Sequence, residues 1–452
     1  MSKTNHLIYP TTNFKAIEQI NIARGEGCYV WDDKGNKYLE GMAGLWCTAL
    51  GYGNQELIDT AAEQMKILTF SHMFGGKTHP VAIELADTLA EMIPMQDAIL
   101  SFGSSGSDAN DTHIKLLRYY HEAIGKPERR KIIARERSYH GVTVAASSLT
   151  GLPVTQKHFD LPVDALGILR TDHPHYYRGR QGNETEAEFV ERIVGNLEKM
   201  ILSEGPETIA AFIAEPITGA SGVIVPPPGY YEKVQALLNK HDIMFWADEV
   251  ITGFGRTGSD FGCTTMGIES PDLMTFAKQL SSAYIPISAS AIRREMYDAM
   301  VEQSAAAGVF GHGYTYSGHP VACAVALKVL QIYERDQIFA KAAVTGHYLQ
   351  QRLAEFADHP LVGEVRGVGM IGAVELVANK ETRQAFADNS VGGYCQKQCE
   401  KNGLIVRAMG GNSIALCPPL ILTVEQVDEI CSKLAVALEE TLAWAKKSHL
   451  LA

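Results

Sequence analysis

The sequence lacks the features that mark membrane, secreted and nucleic-acid-binding proteins. No apolar run in its 452 residues approaches the length of a membrane span, and the N-terminal stretch contains no apolar segment typical of a signal peptide. Basic residues are in deficit, with 40 against 52 acidic residues and a net charge of −12. Because nucleic acid favours a basic surface, this balance argues against it as the main partner. We therefore expect a cytoplasmic protein with no membrane partner and no nucleic-acid partner.

Patterns that bind metals or form disulfide frameworks are also missing. None of the eight cysteines belongs to a C-x-x-C pair, and Cys395 and Cys399 have no second ligand pair at zinc-site spacing. The fifteen histidines include no H-E-x-x-H sequence. We expect reduced, mostly buried thiols, and we assign no metal.

Apolar runs alternate with amphipathic stretches, a pattern that predicts an α/β fold. At 452 residues, of which 46% are hydrophobic and 20% charged, the chain is globular and too long for one simple core. Buried strands are predicted at 98–103, 131–136, 208–216, 243–250, 272–277 and 287–292. Helices are predicted at 107–123, 186–203, 229–240 and 318–334.

The last third of the chain has a different pattern. It predicts two strands around a glycine turn within 362–376, then helices near 391–402 and 424–446. We expect a large α/β domain and a smaller α+β domain that also includes the N-terminal segment. The predicted parts are the N-terminal segment 1–65, the large domain 66–325 and the C-terminal small domain 326–452.

Two glycine segments, 253–258 and 367–372, match the dinucleotide pattern G-x-G-x-x-G. That pattern needs a helix that opens at its third glycine, so that the pyrophosphate meets the helix N-terminus. The residues after Gly258 predict no helix, and those after Gly372 predict a strand. We interpret both segments as turns and keep a nicotinamide-dependent dehydrogenase as a rival function.

A small-residue loop opens the helix predicted after strand 98–103. In "SSGSDANDTHIKLL" (104–117), Ser105, Gly106 and Ser107 precede a first turn that contains Asp108. Such a loop exposes backbone N–H groups and hydroxyls to an anion. The alternative is an ordinary serine N-cap. The sequence is no Walker loop, because no G-K-[ST] follows.

An acid and a lysine follow two later strands. Asp248 and Glu249 end the apolar run 243–250, at the strand end where open α/β sheets bind ligands. Lys278 follows strand 272–277 and is the only charged residue between Asp272 and Arg293. A solvated acid and a lysine whose stem covers apolar surface are the plain alternatives. Together with a phosphate loop, however, a carboxylate and a lysine are what pyridoxal phosphate needs.

With these residues in view, the chain resembles the class III, or omega, aminotransferases, which are fold-type I enzymes that use pyridoxal phosphate. The resemblance covers nearly the whole chain. It rests on "GMAGLWC" (41–47), "SGSDAND" (105–111), "YHG" (139–141), "AEPITGASG" (214–222), "DEVITGFGRTG" (248–258), "TFAK" (275–278), "HGYTYSGHP" (312–320) and "RGVGM" (366–370). "GLIVRAMG" (403–410) and "LCPPLILT" (416–423) make it most similar to the pyruvate-dependent amine and polyamine transaminases. The resemblance implies a mainly parallel seven-stranded sheet in the large domain.

The resemblance also implies roles for individual residues. Lys278 would be the Schiff-base lysine and general acid/base, and Asp248 would partner the pyridine nitrogen. Glu215 would orient Asp248 and the cofactor surroundings. The implied cofactor-binding residues are Ser105, Gly106, Ser107, Tyr139, His140, Glu215, Asp248, Val250 and Lys278, with Thr315 supplied by the neighbouring subunit. The implied substrate-binding residues are Trp46, Tyr139, Ile251 and Arg407, with Met73 and Phe74 supplied by the partner.

The implied reaction is a ping-pong transfer of an amino group from a primary amine, a diamine or polyamine, or an omega-amino acid to pyruvate, giving alanine. The alternative within the family is an enzyme specific for beta-alanine or 4-aminobutyrate. The implied assembly is a homodimer or a tetramer with shared active sites. Ser104, Asp108 and Gln279 depart from the usual family residues, which are asparagine, glutamate and glycine. The poorly matching N-terminal segment leaves open whether Tyr9 or Phe14 enters the pocket.

Overall fold

The computed structural model describes residues 6–15 and 18–451. Its strands are β1 (Ile22–Glu26), β2 (Tyr29–Asp32), β3 (Lys37–Glu40), β4 (Ala98–Gly103), β5 (Lys131–Arg135), β6 (Ile168–Thr171), β7 (Ile209–Ala214), β8 (Met244–Asp248), β9 (Leu273–Phe276), β10 (Ser288–Arg293), β11 (Val362–Val368), β12 (Ile371–Leu376), β13 (Leu404–Ile405), β14 (Arg407–Met409) and β15 (Ser413–Leu416).

The α-helices alternate with these strands along the chain. They are α1 (Ala43–Trp46), α2 (Gln55–Ile67), α3 (Pro80–Met92), α4 (Gly106–Ala123), α5 (Val144–Leu149), α6 (Pro153–Gln156), α7 (Val163–Leu166), α8 (Tyr176–Gly179), α9 (Glu186–Glu204), α10 (Tyr230–Lys240), α11 (Gly262–Met266), α12 (Arg294–Ala307), α13 (Pro320–Arg335), α14 (Ile338–Ala354), α15 (Ser390–Lys401) and α16 (Val424–Lys447). Short 3₁₀ helices lie at Phe74–Gly76, Pro206–Thr208, Lys278–Ser281 and Glu355–Asp358. No helix in the described ranges is long and apolar enough to cross a membrane.

The largest sheet has seven strands in the order β4-β10-β9-β8-β7-β5-β6. Strands β6, β5, β7, β8 and β9 are parallel, and β10 runs antiparallel to both β9 and β4. This confirms the mainly parallel α/β sheet and all six strands predicted from apolar runs. The seventh strand, β6, was not predicted, because it is a four-residue edge strand with a half-buried arginine in its centre.

These strands are buried on both faces of the sheet, which explains why they appear in the sequence as continuous apolar runs. All six residues of β7 are buried, as are all four of β9. Amphipathic helices cover the sheet. In α9, for example, Phe189, Ile193, Leu197 and Ile201 recur every four residues and are buried. The carboxyl ends of β7, β8 and β9 therefore lie side by side, followed by Glu215, Asp248 and Lys278.

Two smaller sheets complete the fold. The order β1-β2-β3-β13 joins the N-terminal segment to the C-terminal third, with β13 parallel to β3. The order β11-β12-β15-β14 is antiparallel, and β11 and β12 form the predicted pair of strands around a turn at Gly369, whose φ is +55°. The domain boundaries at 65/66 and 325/326 stay a prediction.

Neither glycine segment opens a dinucleotide-binding helix. Residues 253–258 form turns in which Gly255 and Gly258 have φ values of +85° and +90°. The prediction that no helix follows is wrong, because the short helix α11 begins at Gly262. Its first backbone N–H groups, at Gly262 and Cys263, already donate to the Glu249 carboxylate at 3.0 and 2.6 Å. The turn is thus capped from within the chain, which removes the basis for the dehydrogenase alternative.

Candidate active site

A cavity of about 340 Å³ lies where β7, β8 and β9 end and helix α4 begins. Ten of the residues singled out in the sequence line it together: Ser105, Gly106, Ser107, Tyr139, His140, Glu215, Asp248, Val250, Ile251 and Lys278. These residues come from five separate sequence motifs. The fold therefore brings the candidate phosphate loop, acid and lysine into one space.

Helix α4 presents its N-terminus to the cavity. Ser105 is its N-cap, and its hydroxyl accepts the Asp108 backbone N–H at 3.2 Å. The Asp108 carboxylate in return accepts the N–H groups of Ser104 and Ser105, which completes a capping box. The serine N-cap and the anion-binding loop are therefore compatible, because the cap leaves Gly106 and Ser107 along the cavity wall.

Close packing explains the glycine at position 106. A Cβ atom there would lie 3.1 Å from Cγ2 of Val250, which lines the same cavity. The neighbouring Ser107 hydroxyl accepts the Val142 backbone N–H at 3.1 Å, which ties the helix start to the loop after His140. Gly106 thus lets the helix N-terminus approach Val250 closely.

Asp248 is 3% exposed and well supplied with donors. Its Oδ2 lies 2.8 Å from His140 Nδ1 and accepts Asn110 Nδ2 at 3.1 Å, while its Oδ1 accepts the Val250 N–H at 3.2 Å. Burial acts to raise the pKa of Asp248, but the hydrogen bond and charge of His140 and the amide of Asn110 outweigh it and lower the pKa. Asp248 therefore stays ionised, and its Oδ1 atom can accept a hydrogen bond from a further donor.

Glu215 organises the cavity wall through the backbone. Its two carboxylate oxygens accept the N–H groups of Tyr139 and Gly219, each at 2.9 Å. Among the described residues no hydrogen bond joins Glu215 to Asp248. Burial raises the pKa of Glu215. Its position fixes Tyr139, whose side chain borders the cavity, rather than Asp248 itself.

Lys278 follows β9 and lines the cavity opposite the helix start. Its backbone lies in the left-handed region, with φ at +45°, which is unusual for a residue other than glycine. Burial lowers the pKa of the Lys278 amine, and the negative charges of Asp248 and Glu215 only partly oppose this. A lowered pKa increases the neutral, nucleophilic fraction of the amine.

The other predicted site residues do not line this cavity. Trp46 is 2% exposed and packs in an apolar cluster with Ile251, Met42 and Cys417. Arg407 is half-buried, and the charge interaction that acts on its pKa is with Tyr139. Met73 is half-buried and precedes the short 3₁₀ helix that Phe74 begins, while Phe74 and Thr315 are exposed. In the N-terminal segment, neither Tyr9 nor Phe14 borders the cavity, and Phe14 is 67% exposed.

Several cavity residues were not predicted. They are Cys47, Ser104, Asn110, Gly141, Ala277, Ser281, Ala283, Ile285, Pro286 and Ile287. Asn110 bridges Asp248, the His140 carbonyl and Thr275 Oγ1. Its place within "SGSDAND" was the available signal, whereas nothing local marks the segment 281–287. All eight cysteines are free, and Cys47 alone among them is not fully buried.

Comparison with known proteins identifies the family. Residues 12–438 match the family model described as aminotransferase class-III. The chain belongs to this family. It is an aminotransferase, which confirms the resemblance drawn from the motifs. Class-III aminotransferases use pyridoxal phosphate as cofactor.

Individual relatives cover most of the aminotransferase chain. Gamma aminobutyrate transaminase 3, chloroplastic, of Solanum lycopersicum is 47% identical over 427 residues, 94% of this chain and 81% of the relative. The omega transaminase from Pseudomonas jessenii in complex with PMP superposes with a TM-score of 0.95 at 48% identity, covering 97% of each chain. A structure described as a transaminase with L-ala gives a TM-score of 0.92 at 48% identity, covering 94% of this chain and 99% of that one.

The cavity fits the cofactor of this family. It offers an ionised carboxylate whose Oδ1 atom can accept a further hydrogen bond, a lysine amine of lowered pKa, and a helix N-terminus flanked by small residues. The Nε2 atom of His140 is buried without a partner in the described chain. These groups are the acid, amine and phosphate donors that the cofactor needs.

Proposed function

We propose that this aminotransferase moves an amino group from a primary amine, a diamine or polyamine, or an omega-amino acid to pyruvate, giving alanine, by a ping-pong mechanism. The observation that carries the proposal is the meeting of Lys278, Asp248 and the start of helix α4 in one cavity, which is also lined by Tyr139, a residue whose charge interacts with the Arg407 guanidinium. The reaction needs two half-reactions in the same site. One half-reaction accepts an amine, and the other accepts a keto acid.

The proposed phosphate and ring contacts use residues at the ends of three strands, β4, β5 and β8. Gly106, Ser107 and the Ser105 cap would hold the phosphate at the helix N-terminus. Val250 and Tyr139 would pack on the two ring faces. When bound, pyridoxal phosphate supplies an aldehyde that reacts with amines and a protonated ring that withdraws electrons. Asp248 would hold the ring proton, since its own pKa is lowered and His140 keeps it oriented.

Lys278 is the proposed nucleophile and proton carrier. Its Nζ atom would take the proton from the substrate carbon that bears the amino group and later give a proton back, as a general acid–base catalyst. The lowered pKa of the amine suits this role, because a neutral amine can take up a proton. Glu215 would hold the Tyr139 backbone, and so the side chain that borders both cofactor and substrate.

Arg407 is the proposed carboxylate-binding group. Among the described residues its guanidinium has no carboxylate and no hydrogen-bond acceptor, and burial lowers its pKa. A planar guanidinium binds a carboxylate through two parallel N–H donors. This supports pyruvate and alanine as one substrate pair, and Trp46 and Ile251, which belong to one apolar cluster, would supply the apolar part of the substrate pocket.

The active unit is proposed to be a homodimer, or a tetramer built from it. Met73, Phe74 and Thr315 do not line the cavity of their own chain. A Cβ atom at Gly313, two residues before Thr315, would lie 3.4 Å from the Phe74 ring, so the two loops share one surface. Exposed apolar residues surround that surface, which is typical of an interface: Phe70, Val309, Phe310 and Tyr316. Light scattering that finds a fully active monomer would contradict the dimer.

A specific omega-amino-acid aminotransferase is the second candidate. Relatives at 46–47% identity are named as gamma-aminobutyrate transaminases. The Arg407 guanidinium could equally bind the carboxylate of 4-aminobutyrate or beta-alanine. The proposed location is the cytoplasm, although those relatives are named as chloroplastic or mitochondrial.

The test is a panel of donors assayed with pyruvate on the cofactor-loaded enzyme. The panel contains a simple primary amine, a diamine, a polyamine, beta-alanine and 4-aminobutyrate, and alanine is measured by chromatography. We expect alanine from at least one donor without a carboxylate. Alanine from the omega-amino acids alone would establish the second candidate. No alanine from any donor, with turnover on another keto acid, would refute pyruvate as acceptor.

A further inference from the structure

Gln279, the residue directly after Lys278, is completely buried. Its side-chain amide makes three hydrogen bonds. Nε2 donates to the backbone carbonyls of Ile251 and Gly253 at 2.9 and 2.8 Å, and Oε1 accepts from Arg256 at 3.1 Å. The side chain therefore joins the turn that carries Lys278 to the loop that follows Asp248.

Only a primary amide of this length satisfies these three partners. It combines two N–H donors with a carbonyl acceptor. Glutamate would keep the acceptor for Arg256 but would turn a carboxylate oxygen toward two carbonyl oxygens. Methionine, of similar size, would leave two buried carbonyls and one guanidinium N–H without a partner.

The turn held by Gln279 has an unusual backbone. Lys278, Ser282 and Ala283 have φ values of +45°, +48° and +61°, a region that residues other than glycine occupy only when their surroundings hold them there. The backbone carbonyl of Gln279 accepts the Tyr333 hydroxyl at 2.7 Å. Gln279 thus anchors the turn through both its side chain and its main chain.

Arg256 extends this connection to the smaller sheets. Its guanidinium is buried, and its hydrogen-bond acceptors in the described part of the chain are all neutral oxygens: Gln279 Oε1, the Met370 carbonyl at 3.0 Å and the Pro418 carbonyl at 2.5 Å. Met370 lies in the β11–β12 turn, and Pro418 follows β15. The lysine turn, the cavity wall at Ile251 and the β11–β12 hairpin are therefore linked through Gln279 and Arg256.

We propose that Gln279 is a positioning residue, which fixes the Lys278 turn against loop 251–256 so that the amine keeps its place in the cavity. The inference deepens the proposed function, because it rests on Lys278 as the reacting amine. Gln279 does not line the cavity and acts through Lys278. Its removal should therefore lower kcat and leave KM nearly unchanged.

The test compares Gln279→Met with Gln350→Met in the cofactor-loaded enzyme. Gln350 is a matched control, since its Nε2 also donates to two carbonyls, those of Gly369 and Ile371, but it is not next to Lys278. We expect Gln279→Met to lower kcat roughly 10- to 100-fold, because a small misplacement of a reacting group costs about that much. Gln350→Met should keep the wild-type kcat.

A spectroscopic readout separates positioning from a general loss of stability. The pH midpoint of the visible absorbance change of the loaded enzyme reports on proton binding near the Lys278 nitrogen, which Asp248, Glu215, Cys47 and Cys417 also influence. Loosening the turn should hydrate this nitrogen and raise the midpoint in Gln279→Met but not in Gln350→Met. If Gln279→Met does not fold, Tyr333→Phe should give a smaller shift in the same direction, because it removes one of the two hydrogen bonds to the Gln279 carbonyl and leaves the one from the Ser282 N–H at 3.1 Å.

A Gln279→Met enzyme with the wild-type kcat and midpoint would overturn the proposal, as would equal changes in Gln350→Met. An unshifted midpoint in Tyr333→Phe, were that the variant used, would overturn it too. The midpoint comparison does not depend on which keto acid the enzyme uses. Failure of the wild-type enzyme to make alanine would therefore contradict the proposed function and leave the role of Gln279 to be decided by the absorbance data.

Discussion

Strands β8 and β3 each end in a buried carboxylate, and the pKa values of these two carboxylates are shifted in opposite directions. Asp248 at the end of β8 is 3% exposed, and Glu40 at the end of β3 is 4% exposed. The pKa of Asp248 is lowered, whereas burial raises the pKa of Glu40 to about 7. Burial is common to both, so the difference lies in their hydrogen-bond donors.

The hydrogen-bond donors explain why the pKa of Asp248 is lowered and that of Glu40 is raised. Asp248 has an imidazole, an amide and a backbone N–H as donors. Glu40 has the Met42 N–H at 3.0 Å and the Tyr52 hydroxyl at 3.4 Å, and no cation among the described residues acts on its pKa. Charge is thus maintained beside Lys278, where the proposed chemistry needs it. At Glu40 the charge is disfavoured within a packed region.

The largest effect should come from removing the amine that faces Asp248. Lys278→Ala should lower alanine formation by more than the roughly 10²–10⁴-fold that general acid–base catalysis supplies, because the nucleophile is lost as well. The variant should still bind cofactor without a covalent bond. Lys233→Ala, which removes a surface lysine paired with Glu191, is the control and should be fully active.

Borohydride treatment of the cofactor-loaded wild-type enzyme, followed by mass spectrometry of its peptides, tests the assignment of Lys278 as the reacting amine. The cofactor should become fixed to the peptide that contains Lys278. A label on any other lysine would refute Lys278 as the reacting amine.

The second-largest loss of rate should come from changing Asp248, compared with the same kind of change at its sequence neighbour Glu249. Asp248→Asn should lower the rate of both half-reactions by about 10²–10³-fold, as loss of a preorganised electrostatic partner does. Glu249→Gln is the matched control, since Glu249 caps α11 rather than lining the cavity. It should lower the melting temperature and leave the rates largely intact. Near-normal rates in Asp248→Asn would contradict the proposed role.

The contrast between Asp248 and Glu249 also shows what the sequence could predict. Apolar runs predicted six strands of the large sheet, because parallel strands are buried on both faces, and motifs predicted ten of the cavity residues. The roles of Glu249 and Gln279 were out of reach, because the N–H groups that Glu249 caps lie 13 and 14 residues away and the carbonyls that the Gln279 amide binds lie 26 and 28 residues away. Likewise, the Asn110 amide reaches Asp248 across 138 residues.

The third effect extends the comparison to Arg407, a cation with no carboxylate partner in the part of the chain that the structure describes. Arg407→Ala should impair the half-reactions of pyruvate and alanine by about 2–5 kcal/mol, or roughly 30- to several-thousand-fold. An amine without a carboxylate should be affected far less. Stopped-flow absorbance follows each half-reaction separately. Arg407→Lys, which keeps the charge without the paired donors, should fall between the two. Equal losses in both half-reactions would mean that another group binds the keto acid.

The smallest effect is on stability and returns to Glu40. Its ordinary pKa is 4.5 and its pKa in the folded protein is about 7. Between these values the folded state holds a proton that the unfolded state has released, so the free energy of unfolding falls as pH rises from 4.5 to 7. Above pH 7 the loss is complete and is on the order of 3 kcal/mol.

Glu40→Gln should recover most of that loss above pH 7 and flatten the pH dependence of urea unfolding, because an amide has no charge to bury and still accepts the Met42 N–H. Near pH 4.5 the variant and the wild type should be equally stable. Glu375→Gln is the opposite control, since Glu375 is 3% exposed but its pKa is lowered by Arg366, His175 and Arg178 against the effect of burial. It should lose stability at neutral pH, where its carboxylate is ionised and paired. An unchanged pH dependence in Glu40→Gln would mean that Glu40 ionises normally, and that burial without a cation does not set its charge.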